Sequence, residues 1–262
     1  MTDAEVRTLA APVVGREVRV EPKPTPGIEI NGVPADLDHV VKADVRVDLA
    51  AAGGDERSFV VEHVLGPLGL CGVTAARVEG RVETWDFARP EHRFCYSTNL
   101  PPAHVVGHPR GLPNPDLAAA IGAVGVDGDT TTRTTVSEPV TVEANGGRLS
   151  LRPREHAAGI HIEASYGDAD LTVEVDPAGE TDEDLIERVT TSTTPYLSPD
   201  DTEAVTHAIA DLVSDVAVLG GFDDLVVEAE LDEAYHALTI GAAREAHESG
   251  VVFERANEGP GD

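Results

Sequence analysis

Apolar and polar residues alternate with a period of two near the start of the chain. Val13 to Glu21 puts Val14, Val18 and Val20 on one side and predicts a strand. The Pro-rich stretch Pro22 to Gly27 predicts a turn, and Gly27-Ile-Glu-Ile begins the next strand. Asp44 to Leu49 alternates strictly, with Val45, Val47 and Leu49 on one side and Asp44, Arg46 and Asp48 on the other. Ala50 to Glu56 reads as a loop. Ser58 to Val61 leads into a short helix from Glu62, broken near Pro67 because proline has no N–H to give the preceding turn. Val73 to Val82 predicts a strand. Residues 83 to 115, rich in Pro and His, carry no periodicity; 115 to 124 predict a small helix, and 125 to 132, rich in Gly and Thr, a linker.

The pattern then starts again. Val140 to Glu143, Arg148 to Pro153 and Gly159 to Ala164 predict strands, and a Pro-containing turn comes before Gly-Ile-x-Ile in both halves. Leu171 to Val175 follows and matches Val45 to Leu49. Asp182 to Val189 predicts a helix, Leu225 to Leu231 a strand, and Asp232 to His247 a final helix. Residues 254–262 read as a disordered acidic tail. The ordered repeat predicts an α+β fold of two similar domains, residues 1–130 and 131–253, each with an antiparallel sheet layered on helices.

One helix concentrates the polar chemistry. Ser198 is a suitable N-cap, Pro199 suits the first helical position, and Asp200 and Asp201 favour the positive end of the helix dipole. Val205, Ile209, Leu212, Val213 and Val216 form an apolar side. His207, Asp211 and Asp215 lie four residues apart on another stripe. Such a stripe is ordinarily solvated, but a His and a carboxylate one turn apart can also share a metal ion.

Composition narrows the classes of function. The chain has 262 residues, 48 acidic against 19 basic, and a formal charge of −29. That excess argues against nucleic acid or an anionic membrane as partner. The acid is spread through the chain and only two of the basic residues are lysines, which points to a protein adapted to high salt, where screening shortens repulsion. No apolar run is long enough to cross a membrane, and the N-terminus lacks the basic and apolar regions of a signal peptide, so the expectation is a cytoplasmic protein. Cys71 and Cys95 form neither a disulfide scaffold nor a zinc pattern.

Four places compete for chemistry: Glu62-His63 at a helix start, His207 with Asp211 and Asp215, His236 in the last helix, and His92, His104 and His108 in the Pro-rich stretch. His104 and His108 are flanked by Pro101, Pro102 and Pro109, so no helix brings them together. His39, His156, His161 and His247 have no partner pattern and read as structural.

These stretches, in this order, resemble the UDP-3-O-acyl-N-acetylglucosamine deacetylases, the zinc amidohydrolases of lipid A synthesis. Val60-Val-Glu-His-Val-Leu-Gly-Pro-Leu-Gly-Leu resembles the family's Thr-Val-Glu-His-Leu segment, and Thr191-Ser-Thr-Thr-Pro-Tyr-Leu its Ala-Arg-Thr-Phe-Gly segment. His207-Ala-Ile-Ala-Asp-Leu-Val-Ser-Asp is similar to His-Lys-x-Leu-Asp-x-Ile-Gly-Asp, and Tyr235-His-Ala-Leu to Gly-His-Ala-Leu. The resemblance implies two domains of the ribosomal S5 domain 2-like kind with the ion between their helical layers. It implies His63, His207 and Asp211 as ligands of zinc, with iron as the other metal it admits, and Glu62 as general base. It gives His236 the oxyanion or the leaving amine, Asp215 the task of orienting His236, and Thr194 a hydroxyl for the tetrahedral intermediate. A second register, sliding by four, would pair Glu203 and His207 with the family's His and Asp; the first keeps both residue types in order.

The chain departs from the family in three places. Only twelve residues separate Thr194 from His207, where the family carries a longer insert that builds the passage for an acyl chain. The Lys after the family's first His is Ala208 here, and no Asp-Gly-Ser segment can be placed. The expected substrate is therefore a small molecule, an N-acetylated amino sugar or sugar nucleotide, and the reaction a metal-dependent deacylation. A non-catalytic metal- or ligand-binding protein of the same fold, and an unrelated acidic α+β protein, stand as the alternatives. The sequence leaves the oligomeric state open.

Overall fold

The computed structural model describes residues 7–11, 16–53, 57–81, 132–154, 157–176, 181–192, 200–232 and 234–256. The first half runs β1 (Arg7–Ala11), β2 (Arg16–Pro22), β3 (Gly27–Ile30), β4 (Val33–Pro34), β5 (Val40–Ala43), β6 (Val47–Ala50), β7 (Arg57–Phe59), helix α1 (Glu62–Leu70) and β8 (Ala75–Arg81). The second runs β9 (Thr132–Val136), β10 (Val140–Ala144), β11 (Gly147–Pro153), β12 (Ile160–Tyr166), β13 (Ala169–Val175), α2 (Glu183–Thr191) and α3 (Asp201–Leu212). Helix α3 continues as a π-helical stretch, Val213–Leu219, before β14 (Leu225–Leu231), α4 (His236–Glu248) and β15 (Val252–Ala256). The small helix expected at 115–124, the Pro-rich stretch at 83–115 and residues 125–131 of the expected linker lie outside the described residues, and the linker's last residue, Thr132, begins β9.

The fold is mixed α and β. One five-stranded sheet has the order β1-β2-β8-β3-β4 and the other β10-β11-β14-β12-β13. In the first, β3 and β8 are parallel and every other pair antiparallel; in the second, β12 and β14 are parallel and the rest antiparallel. The antiparallel pairing expected in each sheet thus holds for every pair but one. The chain leaves each sheet, passes through helices and returns, and a helical crossover is what allows a strand to come back parallel. The matching of Leu171 to Val175 with Val45 to Leu49 is corrected. Strand β13 occupies the edge position that β4 holds in the first sheet, whereas β6 belongs to a separate three-stranded sheet, β5-β6-β7.

Two local expectations fail for a shared reason, which is burial. The alternation at Asp44 to Leu49 places Arg46 and Asp48 on a polar side, yet both are buried, with Arg46 Nε 2.7 Å from Asp48 Oδ1. The pairing offsets part of what burial costs the two charges, although burial still raises the Asp48 carboxyl. Pro67 does not break α1: the helix runs on to Leu70 with all nine of its residues buried, and the lost bond to the His63 carbonyl is outweighed by packing.

The N-cap of α3 is Asp200, whose side chain accepts from the Thr202 N–H at 2.9 Å. The cap expected at Ser198 is displaced by two positions, and Ser198 and Pro199 lie outside the described residues. Helix α3 packs on β12 and β13 and also on α1, α2 and α4, so Ala204 to Leu212 are all buried and the stripe has no solvated face.

Two apolar clusters flank this helical layer. One gathers Val20, Ile30, Leu49, Leu65, Leu68 and Val78; the other Leu149, Leu151, Ile162, Ile209, Leu225 and Val227. They interlock, because Leu219 and Ile240 enter the first while Leu70 enters the second. Strand β15 pairs antiparallel with β9, so Glu254, Arg255 and Ala256 are strand residues and not the start of a tail. Residues 257–262 lie outside the described residues. Among the described residues no helix is long and apolar enough to cross a membrane.

The crossing of α1 and α3 positions the site. A Cβ on Gly66 would lie 2.6 Å from the Ala210 carbonyl oxygen, and one on Gly69 2.8 Å from Val213 Cγ1 and from Val218 Cγ2. Steps of three residues along α1 thus meet steps of three along α3, and one step earlier the same rule brings His63 to His207. Gly66→Ala forces backbone apart and is expected to cost about 2–3 kcal/mol. Urea unfolding reads this directly, and a wild-type midpoint for the variant would contradict the close crossing.

Candidate metal centre

His63 lies in the first turn of α1, and His207 and Asp211 lie one turn apart on α3. One donor atom from each of the three falls within 4.8 Å of the other two. The Nε2 atoms of His63 and His207 are 3.3 Å apart, and His207 Nε2 is 3.5 Å from Asp211 Oδ2. Ligand bonds of about 2.0–2.1 Å in a tetrahedron set donor–donor edges near 3.3 Å, so these spacings suit one ion. The two rings stand edge to face, 86° apart, with both Nε2 atoms turned inward.

The tautomer of His207 follows from its other nitrogen. Nδ1 donates to the Ser192 carbonyl at 3.3 Å, and a carbonyl only accepts, so Nε2 keeps its lone pair. Burial pushes the imidazole down to about 4, which keeps it neutral at ordinary pH. Asp211 accepts from the Tyr235 hydroxyl on Oδ2 at 2.5 Å, while its Oδ1 is buried and has no hydrogen-bond partner among the described residues. A buried carboxylate with one oxygen unmet among the described residues, beside the His207 lone pair and His63 Nε2, fits a divalent cation, and two imidazoles with one carboxylate are a donor set common to zinc and iron.

Two further groups flank the three donors. Glu62, 1% exposed, accepts from the Val47 N–H at 3.0 Å. Burial raises its carboxyl to about 8, with the Asp211 charge adding to the rise and the His236 charge opposing it. His236 begins α4. Its Nδ1 donates to Asp215 Oδ2 at 2.7 Å, and its Nε2 faces Asp211 Oδ2 at 3.7 Å. Burial alone would lower this imidazole, but the charges of Asp215, Asp211 and Glu62 and the bond to Asp215 raise it to about 10. These charges favour the imidazolium form of His236. Thr239 Oγ1 also donates to Asp215 Oδ2, at 2.5 Å.

The backbone is special where these groups enter. Val60 has φ 59°, an outlier for a β-branched residue, two positions before Glu62, and Ala234 has φ 61°, two positions before His236. Asp215 sits in the π-helical stretch, a form that recurs at functional sites.

Of the expected site residues, Glu62, His63, His207, Asp211, Asp215 and His236 converge. Thr194, His92, His104, His108 and His156 lie outside the described residues. Glu203, the ligand of the second register, is not in the donor group. His39 pairs with Asp36, His161 with Glu163 and Glu174, and His247 donates to the Gly220 carbonyl. Tyr235, Thr239 and Ser192 are additional members of the site; in sequence they carry no spacing signal, since their partners come from other elements. Neither a family model nor a curated protein matches the chain.

Proposed function

We propose that the protein is a metal-dependent amidohydrolase of the UDP-3-O-acyl-N-acetylglucosamine deacetylase kind, acting in the cytoplasm on a small N-acylated substrate such as an N-acetyl amino sugar or sugar nucleotide. The observation that carries this reading is the convergence of His63, His207 and Asp211 from two crossing helices, with Glu62 and His236 beside them. The shared order and strand sense of the two five-stranded sheets supports a duplicated α+β module with the site between its helices.

His63, His207 and Asp211 would hold the ion, zinc or iron. When bound, it supplies a Lewis acid that polarises the amide carbonyl and lowers the pKa of water. Glu62 is tethered through one oxygen to the Val47 N–H and has a proton affinity close to neutral, the range in which a carboxylate accepts and returns a proton. The His236 imidazolium, fixed by Asp215, supplies positive charge to an oxyanion or a proton to the leaving amine. Thr194 would offer a hydroxyl to the same intermediate. Asp201 to Thr206 already belong to α3, so residues 195–200 are all that remains where the family builds its acyl passage, which favours a short acyl group.

The test is metal analysis with a screen of N-acetyl sugars for acetate release, run in molar salt to suit a chain of charge −29. Wild type should bind one equivalent of ion and release acetate, and His63→Ala should lose both. Full activity in the metal-stripped protein would sink the proposal. A bound ion without hydrolysis of any such amide would reassign the site to metal binding alone.

A further inference from the structure

The hydroxyl of Tyr235 occupies an unusual place. It donates at 2.5 Å to Asp211 Oδ2, the oxygen that also faces His207 Nε2 at 3.5 Å and His236 Nε2 at 3.7 Å. Tyr235 is 4% exposed, and its ring lies 5.1 Å from that of His236, tilted by 45°. It stands directly after Ala234, whose φ of 61° swings the chain into α4. Among the described residues Asp211 Oδ1 finds no hydrogen-bond partner, and the Tyr235 hydroxyl is the short hydrogen bond that holds the plane of this carboxylate. Without it, the described residues would leave Asp211 Oδ2 only the His207 and His236 nitrogens at 3.5 and 3.7 Å, too distant to fix its plane as firmly.

We infer that Tyr235 is a positioning residue of the metal centre: its hydroxyl holds the Asp211 carboxylate in the orientation that turns Oδ2 toward the two imidazoles. The inference rests on the reading of His63, His207 and Asp211 as ligands. Partners that orient a ligand in this way typically govern metal affinity by 10–100-fold. The role is confined to the O–H group. The ring contributes packing beside His236, and a phenyl ring would supply that equally.

The experiment compares wild type, Tyr235→Phe and Tyr235→Leu by competitive zinc titration and by the visible spectrum of the cobalt-substituted protein, with circular dichroism of each metal-free form. Tyr235→Phe should fold as wild type does, bind zinc about 10–100-fold more weakly and show shifted cobalt bands. Tyr235→Leu should lose zinc affinity to the same degree, whatever packing it also loses. Wild-type affinity and an unchanged cobalt spectrum in Tyr235→Phe would overturn the inference. So would weakened binding in Tyr235→Leu alone, which would make the ring the operative part. Failure of wild type itself to bind zinc or cobalt would instead overturn the metal-centre reading, and the two failures are separate.

Discussion

Glu62→Gln is expected to reduce amide hydrolysis by roughly 10²–10⁴-fold while leaving the metal content unchanged, because under the proposed function it removes the base and not a ligand. The same variant should make the metal-free protein more stable in alkali. Glu62 is 1% exposed, and burial lifts its carboxyl from 4.5 to about 8. A folded-state pKa above the unfolded one means that the folded form holds the proton more tightly. The benefit is full below pH 4.5 and is lost as pH rises through about 8. At about 1.36 kcal/mol per unit, ionising this buried group costs on the order of 4–5 kcal/mol above that pH. Glutamine carries no charge and can still accept from the Val47 N–H. The metal-free variant should therefore match wild type near pH 5 and exceed it near pH 9 in urea midpoint. A variant that is less stable than wild type at pH 9 would contradict this account of Glu62.

Asp215→Asn is expected to have the second large effect, with the opposite sign in stability. Asp215 is fully buried and accepts from both His236 Nδ1 and Thr239 Oγ1. Its charge is the largest of those that keep His236 protonated to about 10 against the pull of burial. Removing one member of such a buried pair typically costs about 3–5 kcal/mol. The His236 contribution is fully present below 6.5 and is lost as pH rises through about 10, so the gap between wild type and variant should be wide at pH 6.5 and narrow above pH 10. Hydrolysis should fall by about 10²-fold or more, since a neutral imidazole gives less charge to an oxyanion. A gap of constant width across that pH range would mean that Asp215 is not what holds His236 charged.

The strands were legible wherever a single face is buried. Ile28 and Ile30, Leu149 and Leu151, and Ile160 and Ile162 recur at a spacing of two and fall within β3, β11 and β12. Spacing fails where polar residues turn inward. Periodicity cannot tell that α3 lies between a sheet and three helices, so the stripe of His207, Asp211 and Asp215 looked ordinary and solvated although all three are buried. Arg46 and Asp48 mislead in the same way, since an ion pair hides both. The Asn31-Gly32 and Asn145-Gly146 pairs, with φ positive at each residue, carry the signal of a two-residue hairpin turn. The candidate ligand set was legible only through the order of short motifs, because His63 and His207 stand 144 positions apart. Tyr235 was hidden altogether, since nothing local to it predicts a bond to Asp211.

That separation of 144 positions bears on when the centre can come into being. Closing so long a loop is entropically late, and the Gly66–Ala210 approach requires α1 to be seated on one cluster and α3 on the other. The three donors therefore meet only after both sheets and their helices have docked. An unfolded or half-folded chain offers the ion dispersed, competing side chains instead of a site, so capture of metal at this crossing would report the completion of folding.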